Sequence, residues 1–395
     1  MKRKIKLISA LLLAITVLTL SVPALGAEDN LLTGASVITG ASVDLNLNCK
    51  SAVLMEAETG TVLYDQNGSE ALPPASVTKI MTLLLVMEAI DNGILTYDTV
   101  LSASANAASM GGSQIFLEPG EEMTVRDLVK SVVISSANDA AVVLAEAVAG
   151  SEDAFVSMMN KKAEELGMKN SHFENTNGLD DTVTNHVLSA LDIAIMSREL
   201  IRHKEILEFS STWMDTVRNG EFGLSNTNRL IRSYKGCNGL KTGSTSKALF
   251  CISTTAERDG MTLIAVIMAA PSRDIRNSAA AALLDWGFAN YSLFRYPGGE
   301  SGDVQVKGGK ERTVKTGYGD FFAVVPKGKN SKVVVESNLE EYLSAPFDKG
   351  NAAGGISFSL DGKVIGEIPI TTCDGVEKLT FYDLLWRMIK CFCLS

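Results

Sequence analysis

The spacing of apolar residues changes twice along this chain, and this change constrains its fold more than any other feature of the sequence. Residues 52–57 and 61–64 have the pattern of two short strands around the turn Glu58-Thr59-Gly60. Helical patterning then follows, and β-rich segments return at 241–255 and 261–270. Strands on both sides of a helical middle predict an α+β fold.

The helical middle begins after Pro73 and Pro74, which stop the extended chain. Segment 76–90 is rich in apolar residues and lacks glycine, as is typical of a buried helix. This pattern puts Ser76 at the predicted start of that helix. Further helices are predicted at 125–135, 139–149, 152–166, 188–203 and 273–289.

Beyond Tyr296-Pro-Gly-Gly299 the chain changes to short apolar segments separated by Gly, Asp, Asn and Lys. This spacing is typical of short strands and predicts a small all-β domain. Its strands are predicted at 304–306, 321–325, 333–336 and 355–360.

The first 27 residues have the layout of an export signal. A basic start within residues 2–6 precedes an apolar run at 7–22, and Ala24-Leu25-Gly26 offers small residues for cleavage before Ala27. We therefore expect the mature protein to work outside the cytoplasm. The alternative is that this run is kept as a membrane anchor, although its length is at the short end for a membrane span.

Composition limits the partners and cofactors. The net charge of −10 argues against nucleic acid, because phosphate binding needs a basic face. His172, His186 and His203 are too dispersed for a metal cluster, and the six cysteines have no C-x-x-C pairing, so no metal or organic cofactor is predicted. Cys237 and Cys251 either pair or, as we expect, are small buried hydrophobes on neighbouring strands.

Three short motifs carry the chemistry: Ser76-Val-Thr-Lys79, Ser136-Ala-Asn138 and Lys241-Thr-Gly243. They provide a nucleophile with an adjacent amine, a hydroxyl with an amide, and a cation beside a strand glycine. These are the parts of a serine acyl-transfer site that needs no histidine.

Each motif also occurs a second time, as Ser244-Thr-Ser-Lys247, Ser104-Ala-Asn106 and Lys315-Thr-Gly317. The two sets differ in their position relative to the predicted helices and strands. Only Ser76 begins an apolar helix after a proline stop, only Ser136 lies between two predicted helices, and only Lys241 begins a strand of the first domain. The first set therefore forms the predicted site.

A serine at a helix start lies beside free backbone N–H groups and the positive end of the helix dipole. Both stabilise negative charge that develops on an attacked carbonyl oxygen. Lys79, three residues after Ser76, projects from the same face. Its amine acts as a base only when neutral, and we expect burial and the cation of Lys241 to lower its pKa. Taken alone, the pair also fits an ordinary N-cap serine with a surface lysine.

The other two motifs offer proton transfer and substrate binding. Ser136 can relay a proton toward the leaving nitrogen, and the Asn138 amide can hold Lys79 and a substrate amide together. Lys241 can attract a substrate carboxylate, to which Thr242 can donate a hydrogen bond. The glycine of the third motif leaves room for an extended peptide at the strand edge. Taken alone, the second motif is also good turn and capping chemistry.

With the surrounding residues Ile134-Ser-Ser-Ala-Asn-Asp-Ala140 and Gly239-Leu-Lys-Thr-Gly-Ser-Thr-Ser-Lys-Ala248, these motifs resemble the serine D-alanyl-D-alanine carboxypeptidases, the low-molecular-mass penicillin-binding proteins. The resemblance extends over nearly the whole mature chain and includes His172-Phe-Glu-Asn-Thr-Asn-Gly-Leu179 and Leu283-Leu-Asp-Trp-Gly-Phe288. It implies a β-lactamase/transpeptidase-like domain, with an antiparallel sheet flanked by helices and a helical subdomain. A small all-β domain and a C-terminal amphipathic helix follow.

The resemblance also implies the reaction. The terminal D-alanine of a peptidoglycan pentapeptide stem is removed through an acyl ester on Ser76, and β-lactam antibiotics acylate the same serine. Lys79 is implied as the proton acceptor, with Ser136 and Asn138 completing the relay. The implied location is the outer face of the cytoplasmic membrane or the cell wall.

The same resemblance implies a set of groups for substrate binding. Lys241 and Thr242 bind the terminal carboxylate, assisted by Arg276 near the start of the closing helix. The backbone N–H groups of Ser76 and Ser244 form the oxyanion hole.

The sequence departs from the family pattern at two places. Ala137 occupies a position where the family often has glycine, and Ala248-Leu249 occupies one where it often has Ala-Gly. Both touch the inner edge of the site and concern substrate preference more than activity.

Two other functions stay open. A serine β-lactamase shares the three motifs, but Glu164-Glu-Leu-Gly-Met-Lys-Asn170 does not match the Glu-x-x-Leu-Asn element of the class A enzymes. A catalytically silent penicillin-sensing or wall-binding protein is the other alternative, and the intact motifs argue against it.

The last segment, 379–392, is predicted to form a helix with one apolar face. Trp386, Arg387 and Lys390 suit its polar and interfacial side, so we expect it to lie in a membrane surface and tether the enzyme. The alternative is packing on its own domain or on a partner. The apolar face contains Phe381, Leu384, Leu385, Met388, Ile389 and Phe392.

These segments predict a division of the chain into five parts. Residues 28–50, in which Thr33-Gly-Ala-Ser-Val37 is repeated almost at once, are predicted to be a flexible linker. The parts are a signal peptide at 1–27, this linker, a catalytic domain at 51–293, a small β-rich domain at 294–376 and an anchoring helix at 377–395.

Overall fold

The computed structural model describes residues 45–181 and 183–393. The predicted signal peptide at 1–27 and most of the predicted linker lie outside the described residues. The described end of that linker contributes Leu45, Leu47 and Cys49 to the core of the first domain, where they are partly buried.

The first part of the chain alternates short strands with helices. In chain order its strands are β1 (Ser51–Glu56), β2 (Val62–Gln66), β3 (Val100–Ser102), β4 (Glu122–Thr124), β5 (Met214–Val217), β6 (Phe222–Ser225), β7 (Cys237–Thr245), β8 (Leu249–Arg258) and β9 (Met261–Ala270). Its helices are α1 (Lys79–Asp91), α2 (Ala105–Ala108), α3 (Val125–Ile134), α4 (Asn138–Ala149), α5 (Glu152–Glu165), α6 (Ala190–Leu200), α7 (Glu205–Ser210), α8 (Leu230–Ser233) and α9 (Arg273–Asn290).

A five-stranded sheet in the order β2-β1-β9-β8-β7 organises this part, and every neighbouring pair is antiparallel. Strand β9 is apolar nearly throughout because both of its faces are covered. One apolar core lies between the sheet and α9. A larger core lies on the other face of the sheet, between it and the helices that connect β2 to β7. The predicted α+β fold, with helices on both sides of an antiparallel sheet, is confirmed.

Helix α1 lies at the centre of the larger core. Its residues are buried nearly all round, so it has no polar face. It contacts α4, α5 and α6. This packing fixes the N-terminal end of α1 against the edge strand β7, where the predicted site residues meet.

The rest of the chain forms the predicted all-β domain and a terminal helix. Its main sheet has the order β14-β16-β17-β12-β11-β15, and β10 pairs with β13 beside it. Phe321 and Phe358 stack in its core with ring centroids 3.9 Å apart. The elements are β10 (Tyr291–Tyr296), β11 (Gly299–Lys307), β12 (Thr313–Tyr318), β13 (Phe321–Pro326), β14 (Val334–Leu339), β15 (Tyr342–Ser344), β16 (Ala352–Leu360), β17 (Lys363–Thr372) and α10 (Phe381–Cys393).

The structure corrects several predicted boundaries. The segment 241–255 is not one β-rich unit but the two arms of a hairpin, β7 and β8, with Leu249 at a φ of 57° where the chain turns back. The helix predicted from Ser76 begins as a 3-10 turn, Ala75–Thr78, and becomes α-helical at Lys79. The apolar pattern does not predict strands β10, β12, β15 and β17, because polar residues interrupt it.

Cys237 and Cys251 lie on neighbouring strands, as expected, and both are free. Cys251 is buried opposite Gly243, whereas Cys237 is half-buried opposite Ala256. The expectation of burial is therefore right for Cys251 and only partly right for Cys237.

Helix α10 leaves its large apolar side chains in solvent. Phe381 is 74% exposed and Trp386 is 61% exposed. Among the described residues, no helix combines the length and the apolar content that crossing a bilayer requires.

Candidate active site

Ser76 lies on a tight turn that the strand β7 holds in place. The turn starts at Ala75, whose φ is 49°. A Cβ atom at Gly243 would come within 2.8 Å of the backbone nitrogen of Ser76 and within 2.8 Å of the carbonyl oxygen of Pro74. Glycine in the third motif therefore lets the edge strand pack directly against the turn that carries Ser76.

Lys79 is fully buried beside Ser76. Its Nζ lies 3.0 Å from the Oγ of Ser76 and donates a 2.8 Å hydrogen bond to the carbonyl oxygen of Asn177. Burial lowers the pKa of Lys79 well below its usual value, and the positive charge of Lys241 lowers it further. The amine is thus held close to the hydroxyl in an environment that favours its neutral form.

Lys241 connects the second and third motifs. Its side chain is buried, and Nζ donates hydrogen bonds to Ser136 Oγ at 2.8 Å and to the carbonyl oxygen of Thr242 at 3.0 Å. Burial lowers the pKa of Lys241 to about 7, with a further contribution from the charge of Arg276. Ser136 has a φ of 66°, an uncommon backbone conformation at the connection between α3 and α4.

Asn138 differs from the sequence-based expectation. Its Nδ2 donates to the carbonyl oxygen of Gly111 at 2.6 Å, and no hydrogen bond joins it to Lys79. Its backbone N–H donates to the carbonyl oxygen of Ser113 at 2.7 Å, so Asn138 fixes a wall of the cavity. Its buried Oδ1 has no hydrogen-bond partner among the described residues and is free to accept one.

A second layer of contacts positions the turn. Glu174 N–H donates to Nδ1 of His186, so the ring proton is on Nε2, which lies 2.8 Å from the Oγ1 of Thr78. The Thr78 hydroxyl in turn donates to the carbonyl oxygen of Ala75 at 2.8 Å. Burial lowers the pKa of His186 to about 4, so it is neutral near pH 7.

Gly178 also belongs to this layer. Its replacement tests whether these contacts hold the turn that carries Ser76. Its φ is 82°, and a Cβ atom would lie 1.9 Å from the carbonyl oxygen of Ala75. We expect Gly178→Ala to lower the free energy of unfolding by at least about 2 kcal/mol and to lower the reactivity of Ser76, because the turn must move. Urea unfolding measures the first effect, and labelling with penicillin, the reagent that the family resemblance implies for Ser76, measures the second.

Gly120 is the matched control. Its φ is 85°, but no atom lies within 4 Å of the position that a Cβ atom would take there. Gly120→Ala carries the backbone cost of about 1 kcal/mol without the clash. Equal loss of stability and unchanged labelling in the two variants would contradict the role assigned to Gly178.

The motifs open onto one cavity of about 420 Å³. Thr242 lies on its wall and donates to the Oγ1 of Thr227 at 2.8 Å. Arg276 is 3% exposed and donates to the Oδ1 of Asn277 at 2.8 and 3.0 Å. The lining residues are Ser76, Ser113, Ser136, Trp213, Ser225, Asn226, Thr227, Arg229, Thr242, Gly243, Ser244, Arg273 and Arg276.

The second copies of the motifs have other surroundings. Ser104 is the N-cap of α2 and accepts a hydrogen bond from Ala107 N–H. Lys315 lies on β12 of the all-β domain with its side chain 64% exposed. Ser244 does line the cavity, but the amine of Lys247 donates to the carbonyl oxygen of Asp180 instead of approaching it.

The sequence motifs do not indicate that several other residues belong to the site. Asn177 acts through a backbone carbonyl, which any residue would supply. Thr227, Arg229 and Arg273 stand outside every motif, and only the fold brings them to the cavity. Among the described residues, no cluster of His, Cys, Asp or Glu is arranged to hold a metal ion.

Comparison with known proteins gives a consistent result. A family model described as D-alanyl-D-alanine carboxypeptidase matches residues 38–272, and one described as the C-terminal domain of penicillin-binding protein 5 matches residues 295–378. The chain is 40% identical to the D-alanyl-D-alanine carboxypeptidase DacF of Bacillus subtilis, over 97% of both chains.

Solved structures agree with these matches. The chain is similar to penicillin-binding protein 5 from Haemophilus influenzae, with a TM-score of 0.75 and 32% identity over 85% of this chain and 99% of that one. It is also similar to penicillin-binding protein D2 from Listeria monocytogenes in its ampicillin-bound form, with a TM-score of 0.57 and 33% identity. That match covers 62% of this chain and 100% of the other.

Proposed function

This chain belongs to the D-alanyl-D-alanine carboxypeptidase family, and we propose that it removes the terminal D-alanine from peptidoglycan stem peptides through an acyl ester on Ser76. The observation that carries the proposal is the contact between the buried amine of Lys79 and the hydroxyl of Ser76, at 3.0 Å. A serine hydroxyl is a weak nucleophile, and a neutral amine at this distance is the base that it needs.

Acylation begins with proton transfer from Ser76 Oγ to Nζ of Lys79. The oxygen attacks the carbonyl carbon of the penultimate D-alanine, and the backbone N–H groups of Ser76 and Ser244 stabilise the oxyanion. The proton held by Lys79 then passes through Ser136, which accepts a hydrogen bond from Lys241, to the amide nitrogen, so Lys79 is neutral again. The C–N bond then breaks, and D-alanine leaves with its amine restored.

Deacylation reverses these roles with water as the nucleophile. Lys79 accepts a proton from water, which attacks the ester carbonyl, and it returns this proton to the Oγ of Ser76 as the C–O bond to Ser76 breaks. The products are the shortened peptide with a new carboxylate and the free serine. A β-lactam follows the same first step, but its ring-opened leaving group stays attached, so the acyl-enzyme persists.

The substrate lies along the outer edge of β7, which is the last strand of its sheet and reaches the cavity at Thr242, Gly243 and Ser244. Backbone groups at such an edge pair with an extended peptide. The cations of Lys241 and Arg276 attract the terminal carboxylate, and the Thr242 hydroxyl turns from Thr227 to donate a hydrogen bond to it. The Oδ1 of Asn138 is available to a substrate amide N–H or to Lys79 when the site is occupied.

The test of this function is release of D-alanine from a diacyl-lysine peptide that ends in D-Ala-D-Ala. We expect D-alanine to appear, and purified protein treated with benzylpenicillin to gain the mass of the drug. Fast hydrolysis of penicillin without an adduct would support a β-lactamase instead. Absence of both reactions would support the silent wall-binding protein.

The pH dependence of this reaction follows from the two buried lysines. Lys79 acts when neutral, so kcat/KM rises as pH increases through its lowered pKa. Lys241 binds the substrate carboxylate when charged, and its pKa is about 7, so kcat/KM falls as pH increases above that value. We expect a bell-shaped profile for D-alanine release. In Lys241→Arg the alkaline fall moves to higher pH, and an unmoved alkaline limb would contradict the role of Lys241.

We also propose that the protein is exported by residues 1–27 and is held at the membrane surface by α10. The support for the tether is a helix whose apolar side chains, such as Leu385 and Met388, are about half exposed. The domain division at 51–293, 294–376 and 377–395 then puts the anchor at the far end of the chain from the signal.

A truncation tests the tether. Deletion of residues 379–395 is expected to move the enzyme from the membrane fraction to the soluble fraction while D-alanine release continues. A matched full-length variant, Leu385→Glu with Met388→Glu, separates the effect of the apolar face from that of chain length. Unchanged membrane association of both variants would overturn the tether.

A further inference from the structure

The side of the cavity next to Thr242 carries more positive charge than one carboxylate requires. Arg229 and Arg273 line the cavity together with Arg276. Burial lowers the pKa of Arg276 to about 10, and the charges of Arg273 and Arg229 contribute to the same shift. The three guanidinium groups are therefore within electrostatic range of one another.

Two of these guanidinium groups have no partner in the part of the chain that the structure describes. Arg276 donates to Asn277 and to the carbonyl oxygen of Cys251. In contrast, neither the Arg229 nor the Arg273 side chain forms a hydrogen bond or a salt bridge to any described residue. Both are exposed, so their donors remain available to a ligand.

The two arginines come from separate elements that meet at the cavity. Arg229 lies two residues after Thr227, whose hydroxyl accepts the hydrogen bond of Thr242. Arg273 is the first residue of α9, three residues before Arg276. This arrangement brings unpaired guanidinium groups to the place where the leaving residue of the substrate lies.

We propose that the cavity accepts a terminal D-amino acid with an acidic side chain, as in peptides ending in D-Ala-D-Glu, and that Arg229 and Arg273 bind the side-chain carboxylate. This inference rests on the proposed function, because the same acyl transfer to Ser76 releases the acidic residue. The bond that breaks is again the terminal amide, and water again completes the reaction, so free D-glutamate replaces D-alanine as the product.

Guanidinium is suited to this task because its fixed donors match a carboxylate in two-point contact. The exposed position of both arginines limits the strength of each contact through solvent screening. We therefore expect kcat/KM for a peptide ending in D-glutamate to exceed that for the uncharged D-glutamine peptide by about three- to tenfold. This ratio decreases as ionic strength increases.

The experiment compares kcat/KM for three peptides that differ in the last residue: D-alanine, D-glutamate and D-glutamine. D-glutamine has nearly the shape of D-glutamate without its charge. The ratio of kcat/KM for these two peptides therefore measures the effect of the side-chain charge. We expect D-glutamate to be preferred over D-glutamine by about three- to tenfold. Arg229→Gln and Arg273→Gln each reduce this ratio, and the double variant brings it close to one.

Arg312, an exposed residue of the all-β domain, supplies the matched control. Arg312→Gln makes the same change in net charge away from the cavity and leaves the ratio unchanged. Equal kcat/KM for D-glutamate and D-glutamine, or a preference that both cavity variants retain, overturns this inference while D-alanine release stands. Absence of D-alanine release from the D-Ala-D-Ala peptide overturns the proposed function, and this inference with it.

Discussion

Replacement of Ser76 by alanine is expected to abolish D-alanine release, with kcat lowered by at least about 10⁴-fold. In the proposed reaction the Oγ of Ser76 forms the ester, and the groups around it only activate it or bind substrate. The same variant is expected to take up no penicillin. D-alanine release and labelling with a fluorescent penicillin measure the two losses, and circular dichroism checks that the fold is kept.

Ser104 provides the control, because Ser104-Ala-Asn106 repeats the second motif outside the site. Ser104→Ala removes the N-cap of α2 and costs about 1 kcal/mol of stability. It is expected to keep full activity and full labelling. Substantial D-alanine release by folded Ser76→Ala would contradict the assignment of the nucleophile.

Replacement of Lys79 by methionine is expected to lower the acylation rate by at least about 10³-fold. Methionine nearly keeps the length and the burial of the side chain but removes the amine that we propose as the base. The free energy of unfolding is expected to change by no more than about 1 kcal/mol, because loss of the hydrogen bond to Asn177 is offset by removal of a buried amine. Stopped-flow labelling with penicillin measures the rate, and urea unfolding measures the stability.

Lys247 is the matched control, since it is the lysine of the second S-x-x-K sequence. Its side chain is exposed and bonds to the carbonyl oxygen of Asp180. Lys247→Met is expected to change acylation by less than about threefold. Acylation of Lys79→Met at a rate close to that of the wild type would mean that another group is the base.

The motifs were predictable because each needs a particular side chain at a particular local position. Ser76 and Lys79 are three residues apart at the start of a helix, so local geometry alone brings them together. The binding role of Lys241 was also predictable, because the sequence shows a cation two residues before a glycine in a predicted strand. Their assembly into one cavity follows from the packing of β7 against the turn at Ala75–Thr78.

Other parts of the site were not predictable, for physical reasons. The contact of Lys79 with Asn177 uses a backbone carbonyl 98 residues away, which leaves no trace in side-chain chemistry. The link expected between Asn138 and Lys79 is absent because the Asn138 amide is used by the carbonyl oxygen of Gly111. The approach of Arg229 and Arg273 depends on long-range packing of separate elements.

The fold was predictable where apolar patterns are long and uninterrupted. Strand β9 and helix α1 are apolar along most of their length and were located closely. The strands β3 and β4 have only three residues each, and in strands of the small domain such as β11 and β17 most residues are exposed or half-buried. Such segments carry too few apolar residues for their period to be distinguished from that of loops.

The central claim is that Ser76 is the acylated residue, and one measurement tests it most directly. Protein incubated with benzylpenicillin is digested, and mass spectrometry locates the added mass on a peptide and then on a residue. We expect one drug molecule per chain on Ser76, with Ser136 and Ser244 unmodified. An adduct on Ser136, on Ser244 or on any other residue would contradict the claim.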